Sequence, residues 1–512
     1  MRNRKVLPLA LIVLAAFYLI TFSSCFRQRD TRKAGKTASE LRYGFTSEPA
    51  TLDPLSPANT ADGRSILFNV FEGMVKPDTD GRMMPCAAAS WTMEEGGLVY
   101  NFTLREGMRF HDGSILTSAD VKFSLETAIA AGFDSLASIE KINAPDQNQI
   151  SVILKMPDPE FLPYLSIGLV KAGNENREKN VIGTGPFFIE SYTAQQNLVL
   201  KKFNGYWHKD LPRLDKVTIV FLADTEAALL ALRGGGIDGV SVTGAQAAQL
   251  DRRRFDIFDS FSASVQLLAL NNEQPPFDDI RVRKAINYCI DARGIIDAAF
   301  FGMGKPSPSP IIPGLSIFYE NNLGGPVDLE KARALLAEAG YGGKGGKLAL
   351  EISVPSNYTM HVDTAQVIVR QLSEIGIDAT VRLVDWASWL SDVYRGRKYQ
   401  ATIISLDSSV VSPRGFLSRY RSTSGSNFIN FKNDDFDSVY NTVLAETDEK
   451  KRIALYKEAQ RIIMENAASV YIQDIFYFKV FKGGAYGGVL NYPLYVIDFA
   501  SIYGAYGTEN NS

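Results

Sequence analysis

The sequence predicts a mixed α/β fold of more than one domain, and three observations predict it. Short runs rich in β-branched and aromatic residues recur along the chain from Leu41 to Ser405. Helical patterns, with apolar residues three and four apart, stand between many of them. The chain has 512 residues, far more than the ~100–200 that one core needs.

In chain order the strand-like runs are 41–46, 100–104, 150–154, 198–202, 216–221, 263–269, 348–354, 379–383 and 399–405. A helix is expected from Ser118, read as its N-cap, with Asp120 in the first turn and Val121, Leu125 and Ile129 down one face. Val282, Ala285, Ile286, Cys289 and Ile290 share another helical face. A third helix starts at cap Asp328, passes Ala332, Leu335 and Leu336, and stops at Gly340. A fourth carries Ala365, Val369 and Leu372 and stops at Gly376. A fifth, after Asp448, places Leu455, Ala459 and Ile462 on one side. Gly107, Gly113, Gly183 and Gly185 are read as tight turns where a Cβ would clash.

Ahead of this body, Arg2, Arg4 and Lys5 precede an apolar run from Val6 to Phe22, and Ser23, Ser24 and Cys25 follow. A basic stretch, an apolar stretch and small residues before a cut site form a secretory signal. The Cys after two small residues resembles a bacterial lipobox, in which the thiol is diacylated. Two acyl chains anchor firmly, since each buried methylene contributes about 0.8 kcal/mol. The alternative is an uncleaved anchor, because the run approaches the ~17–25 residues that span a bilayer. Residues 1–24 are read as the signal peptide and 25–40 as a polar, basic tether. On either reading the rest is expected outside the cytoplasm.

Net charge is −3, with no basic block beyond the tether, which argues against nucleic acid as a partner. Beyond Cys25 only Cys86 and Cys289 remain, and the chain has three His. Ligands for a metal centre are scarce, and no cofactor is expected. Neither Gly-x-Ser-x-Gly nor His-Glu-x-x-His occurs. An exported hydrolase built on paired carboxylates remains the less favoured enzyme reading.

Several segments, in this order, resemble one family. They are Glu48-Pro-Ala-Thr-Leu-Asp-Pro54, Phe71-Glu-Gly-Met74, and Leu104-Arg-Glu-Gly-Met-Arg-Phe-His-Asp-Gly113 running into Leu116-Thr-Ser-Ala-Asp-Val-Lys-Phe-Ser124. Gly183-Thr-Gly-Pro-Phe187, Asn204-Gly-Tyr-Trp207 and Pro276-Phe-Asp-Asp-Ile-Arg-Val-Arg-Lys-Ala-Ile286 follow, with Tyr456-Lys-Glu-Ala-Gln460 last. Together they resemble the family 5 extracellular solute-binding proteins, the dipeptide, oligopeptide and nickel class of bacterial ABC importers.

The resemblance implies a two-lobed, periplasmic-binding-protein-like fold (class II type, cluster C) with a hinge and an extra inserted sub-domain. The first lobe would combine 41–75, 182–274 and 483–512, the sub-domain 76–181 and the second lobe 275–482. It further implies capture of a di- or oligopeptide by hinge closure and delivery to an ABC permease and ATPase complex; a monomer is expected because capture and delivery need no partner subunit, and the lipid on Cys25 would anchor it to the membrane. An oligosaccharide, a nickel chelate, an opine or haem are alternative ligands on the same fold, and a sensor or chaperone role would use the same cleft. In the segment from Ile403 to Leu417, Asp407 matches the partner of a peptide's α-amino group, beside Ser408, Arg414 and Phe416. Trp386 matches a cleft-lining aromatic, and Trp389 is read as packing. Arg414, Arg419 or Arg421 would pair with a ligand carboxylate. From the first lobe, the loop with Glu48 and Thr51 would offer backbone contacts. Bland readings stand beside these: a turn cap for Asp407, solvated surface for each Arg, a plain turn for 48–52.

Overall fold

β1 (Glu40–Phe45) buries Leu41, Tyr43 and Phe45 on one face, and at its carboxyl end Gly44 is buried on the other, under Ile237 and Leu222. The computed structural model describes residues 39–505, apart from 261–262, 343–345, 409 and 475–476. After β1 the chain leaves this sheet. It makes a small hairpin, β2 (Val75–Pro77) and β3 (Met83–Pro85), and then a separate sheet of four strands. These are β4 (Ala88–Glu94), β5 (Val99–Leu104), β6 (Ile139–Asn143) and β7 (Gln149–Leu154), antiparallel in the order β4-β5-β7-β6.

The helix Ser118–Ala130 follows β5, and its N-cap is Thr117 rather than the expected Ser118. The N–H and hydroxyl of Thr117 both donate to Asp120 Oδ2 at 2.8 Å, closing a capping box. The Ser118 hydroxyl is used elsewhere, on the Asp146 carbonyl.

The chain then returns beside β1 with β8 (Phe187–Thr193), β9 (Asn197–Lys202), β10 (Lys216–Phe221), β11 (Gly239–Thr243) and β12 (Phe255–Ser260). A second body begins at β13 (Ser264–Leu270) and continues with β14 (Leu348–Pro355), β15 (Ile377–Val384), β16 (Ala401–Asp407) and β17 (Ser469–Asp474). Its five strands lie in the order β15-β14-β16-β13-β17. β18 (Tyr477–Lys482) goes back to the first sheet and completes its seven strands, β12-β18-β11-β1-β10-β9-β8.

The chain therefore crosses between the two sheets twice, after Ser260 and after Asp474. The sequence-based limits at 274/275 and 482/483 would cut β13 and β18 from the sheets in which they hydrogen-bond.

Neighbouring residues of the five-stranded sheet feed two cores. Leu267, Ile404 and Tyr471 pack on one face, and Leu268, Ile403 and Val470 on the other. Both faces are covered, so these strands read as continuous apolar runs. Cys289 is buried in the second of these cores and Cys86 is buried in the first body; both are free thiols. Among the described residues no helix is long and apolar enough to cross a membrane.

Candidate functional site

Strand direction places the site. β14 runs parallel to β15 and to β16, so Pro355, Val384 and Asp407 end at one edge of the five-stranded sheet. β13 and β17 place Ser264 and Asp474 at that same edge, where Ser264 pairs with Asp407 and Val265 with Asp474. In the seven-stranded sheet, β1 is parallel to β10 and β11, and Thr243 and Ser260 both pair with Tyr477. Both sheets thus present the carboxyl ends of their parallel strands toward the two crossings. Ligands of open α/β sheets bind outside those carboxyl ends, where loops converge and strands leave side chains uncovered.

Asp407 closes β16 and is exposed. Its carbonyl accepts from Arg419 Nη2 at 2.9 Å. Among the described residues, nothing bonds to its carboxylate. Ser408 folds back on its own loop: its Oγ donates to the Val410 carbonyl at 2.7 Å and accepts from the Val410 N–H at 3.3 Å. Gly415 lies against it, where a Cβ would stand 1.8 Å from Ser408 Oγ.

Trp386 opens a short turn capped by Asp385, whose Oδ1 accepts from the Ser388 N–H at 3.0 Å. Its ring lies parallel to Trp389, centroids 5.1 Å apart, and meets Tyr358 edge-on at 5.5 Å. Trp389 is buried, with Nε1 donating to Thr402 Oγ1 at 2.9 Å. The buried indole holds the exposed one, and Trp386 and Tyr358 are each 38% exposed. Aromatic pairs in such geometries gain about 0.5–1.5 kcal/mol beyond area burial. Sequence reading singled out Trp386 and passed over Tyr358. Its signal was its place at the carboxyl end of β14, visible only once that strand's direction is known.

The remaining expected residues are engaged elsewhere. Arg414 Nη1 lies 2.6 Å from Asp158 Oδ2, and this partner pushes the guanidinium pKa up against the downward pull of burial. Arg421 reaches Asn441 Oδ1 at 3.4 Å and the Tyr440 ring at 5.7 Å. Phe416 is 2% exposed and packs in the second body's core, so it lines no cleft here. Glu48 accepts from the Tyr192 hydroxyl at 2.5 Å and the Gln195 N–H at 2.7 Å, which pins its loop to the β8–β9 turn. Burial and this carboxylate push the Tyr192 hydroxyl up to about 12. Thr51 Oγ1 accepts from the Asp53 N–H at 3.2 Å, a local turn contact. Cys25 lies outside the described residues.

Beneath the edge, Gln266 Nε2 donates to His361 Nδ1 at 3.0 Å, and Gln473 Nε2 donates to Gln266 Oε1 at 2.9 Å. Burial lowers the His361 pKa to about 4. Among the described residues no group of three His, Cys, Asp or Glu is placed to hold a metal ion.

Comparison with known proteins agrees with this layout. Residues 82–428 match the family described as bacterial extracellular solute-binding proteins, family 5 middle. A heme-binding protein A of Haemophilus influenzae is 27% identical, over 90% of this chain and 92% of that protein. A glutathione-binding protein of Salmonella paratyphi A is 28% identical, over 84% of this chain and 88% of that protein. Among solved structures, the periplasmic murein tripeptide-binding protein in its unliganded open form superposes with a TM-score of 0.83. It is 23% identical, and the match covers 92% of this chain and 98% of that one.

Proposed function

This chain belongs to the bacterial extracellular solute-binding proteins of family 5, and we propose that it captures a di- or oligopeptide between its two lobes for an ABC importer. One observation carries the peptide reading: the exposed Asp407 carboxylate, unpaired among the described residues, at the carboxyl edge of the second lobe. A carboxylate enclosed in a closing cleft needs a cation, because uncompensated burial of a charge is costly. The ammonium of a peptide's first residue supplies one. Relatives whose names include a tripeptide and glutathione support this choice.

Spacing supports it too. β15, which leads to Trp386, lies two strands from β16, which ends at Asp407. Two strand spacings are about 10 Å, the reach of about three extended residues. An ammonium on Asp407 and a side chain against Trp386 and Tyr358 then suit a short peptide. The same aromatic face favours a second reading, a flat apolar ligand of the kind named in the heme-binding relative. Anchoring through Cys25 and a monomeric state complete the proposal, on the strength of the leader sequence and the delivery role.

Calorimetric titration with tri- and tetrapeptides tests the main reading. Asp407→Ala is expected to weaken free-amine peptides at least tenfold and to leave N-acetylated ones unchanged. Equal loss for both would remove the amine role. Binding of porphyrin with no response to any peptide would favour the second reading.

A further inference from the structure

The segment between β7 and the turn Leu162–Ser166 reaches from the four-stranded sheet to the second lobe. It is fastened at its base: the Asp158 N–H donates to the Gly97 carbonyl at 3.0 Å, and the Tyr100 hydroxyl donates to the Asp158 carbonyl at 2.5 Å. On the far side, Asp158 Oδ2 takes Arg414 Nη1 at 2.6 Å. Glu160 accepts from the Ser412 hydroxyl at 3.3 Å and from the Tyr456 hydroxyl. A second contact lies on the β2–β3 hairpin. The Ser316 hydroxyl donates to Asp80 Oδ1 at 2.8 Å, and Gly81 lies so close to Leu315 that a Cβ would stand 2.8 Å from its Cδ2.

We propose that Asp158 and Glu160 form a clasp, a non-covalent attachment that adds to the two strand crossings and sets the resting angle between the lobes. Beside the two crossings the bodies also touch through Lys305 and Asp259, 3.1 Å apart, and through Met303 against Gly244. The clasp engages Arg414 and Ser412, beside the loop that follows Asp407, and Tyr456 on the helix Glu449–Glu465. Turning the second lobe therefore strains or parts an ion pair with Asp158 only 14% exposed. A partly buried charge pair of this kind holds one geometry more strongly than a surface pair does.

The test is a distance distribution between spin labels at Lys209→Cys in the first lobe and Lys347→Cys in the second, both exposed positions, with buried Cys86 and Cys289 left in place. Asp158→Asn with Glu160→Gln is expected to widen the ligand-free distribution about twofold. The charge-reversed pair Asp158→Arg with Arg414→Asp is expected to restore the narrow one. An unchanged width in the first variant, or no recovery in the second, overturns the clasp. Neither readout depends on which ligand the cleft takes.

Discussion

At Gly183 a Cβ would lie 2.0 Å from the Val70 carbonyl oxygen, whereas at Gly113, with φ +85°, nothing lies within 4 Å. The first glycine answers to close approach and the second to backbone conformation. Gly183→Ala is expected to cost about 1–3 kcal/mol by overpacking, and Gly113→Ala about 1–2 kcal/mol by left-handed strain. Urea unfolding of Asn variants separates the causes. Asn tolerates the left-handed region, so Gly113→Asn should recover much of the loss and Gly183→Asn none.

Two histidines are held neutral by the same logic of contact. His111 Nδ1 accepts from the Gly183 N–H at 3.2 Å, as His361 Nδ1 accepts from Gln266, and an accepting nitrogen carries no proton. Burial lowers both from 6.5 to about 4. Between those values the unfolded chain binds more protons than the folded one. Stability is then full above pH 6.5 and falls as pH drops toward 4, by about 3 kcal/mol for each ring. Urea midpoints across that window should fall less steeply for His361→Gln than for the parent protein.

Among elements, the helix Ser118–Ala130 depends on one side chain. Asp120 Oδ2 takes two bonds from Thr117, and Oδ1 takes the Ala172 N–H at 2.8 Å. Asp120→Ala leaves two backbone N–H groups without this partner and should cost about 2–3 kcal/mol. Ser118→Ala removes one hydroxyl bond and should cost about 1 kcal/mol, read by thermal melts followed by circular dichroism. In the sequence this helix was legible to within one residue, because Thr117, Ser118 and Asp120 are all cap formers and only geometry assigns the roles. Strands with β-branched or aromatic runs, such as β10 and β14, were legible for the same local reason. The crossings were not. Residues 255–270 and 469–482 contain neither Gly nor Pro, so each reads as one unbroken β-rich run although it serves two sheets. Family resemblance pointed to Asp407, Arg414 and Phe416 alike, and nothing local told apart the one whose carboxylate the fold leaves exposed from the two it commits to an ion pair and to the core.

For the whole molecule, the position of each contact relative to the crossings decides what it can do. A ligand shifts the lobes only so far as it binds the closed arrangement better than the open one. β16, with Asp407, is next to β13, which leads out of a crossing, whereas β15, which leads to Trp386, is three strands from β13. The separations are about 5 Å and about 14 Å. Rotation about the crossings moves a point in proportion to its distance from them. In the proposed binding mode Asp407 would therefore move little, hold the ammonium in open and closed forms alike, and contribute affinity more than closure. In the same proposal Trp386 would sweep further, and ligand contacts to it would favour the closed form. Radii of gyration from solution scattering, taken with a tripeptide at saturation, test this. Asp407→Ala should need more peptide yet contract as much as the parent protein, and Trp386→Ala should contract less at any peptide concentration. Full contraction in Trp386→Ala together with none in Asp407→Ala would place the closing contact at the hinge end instead.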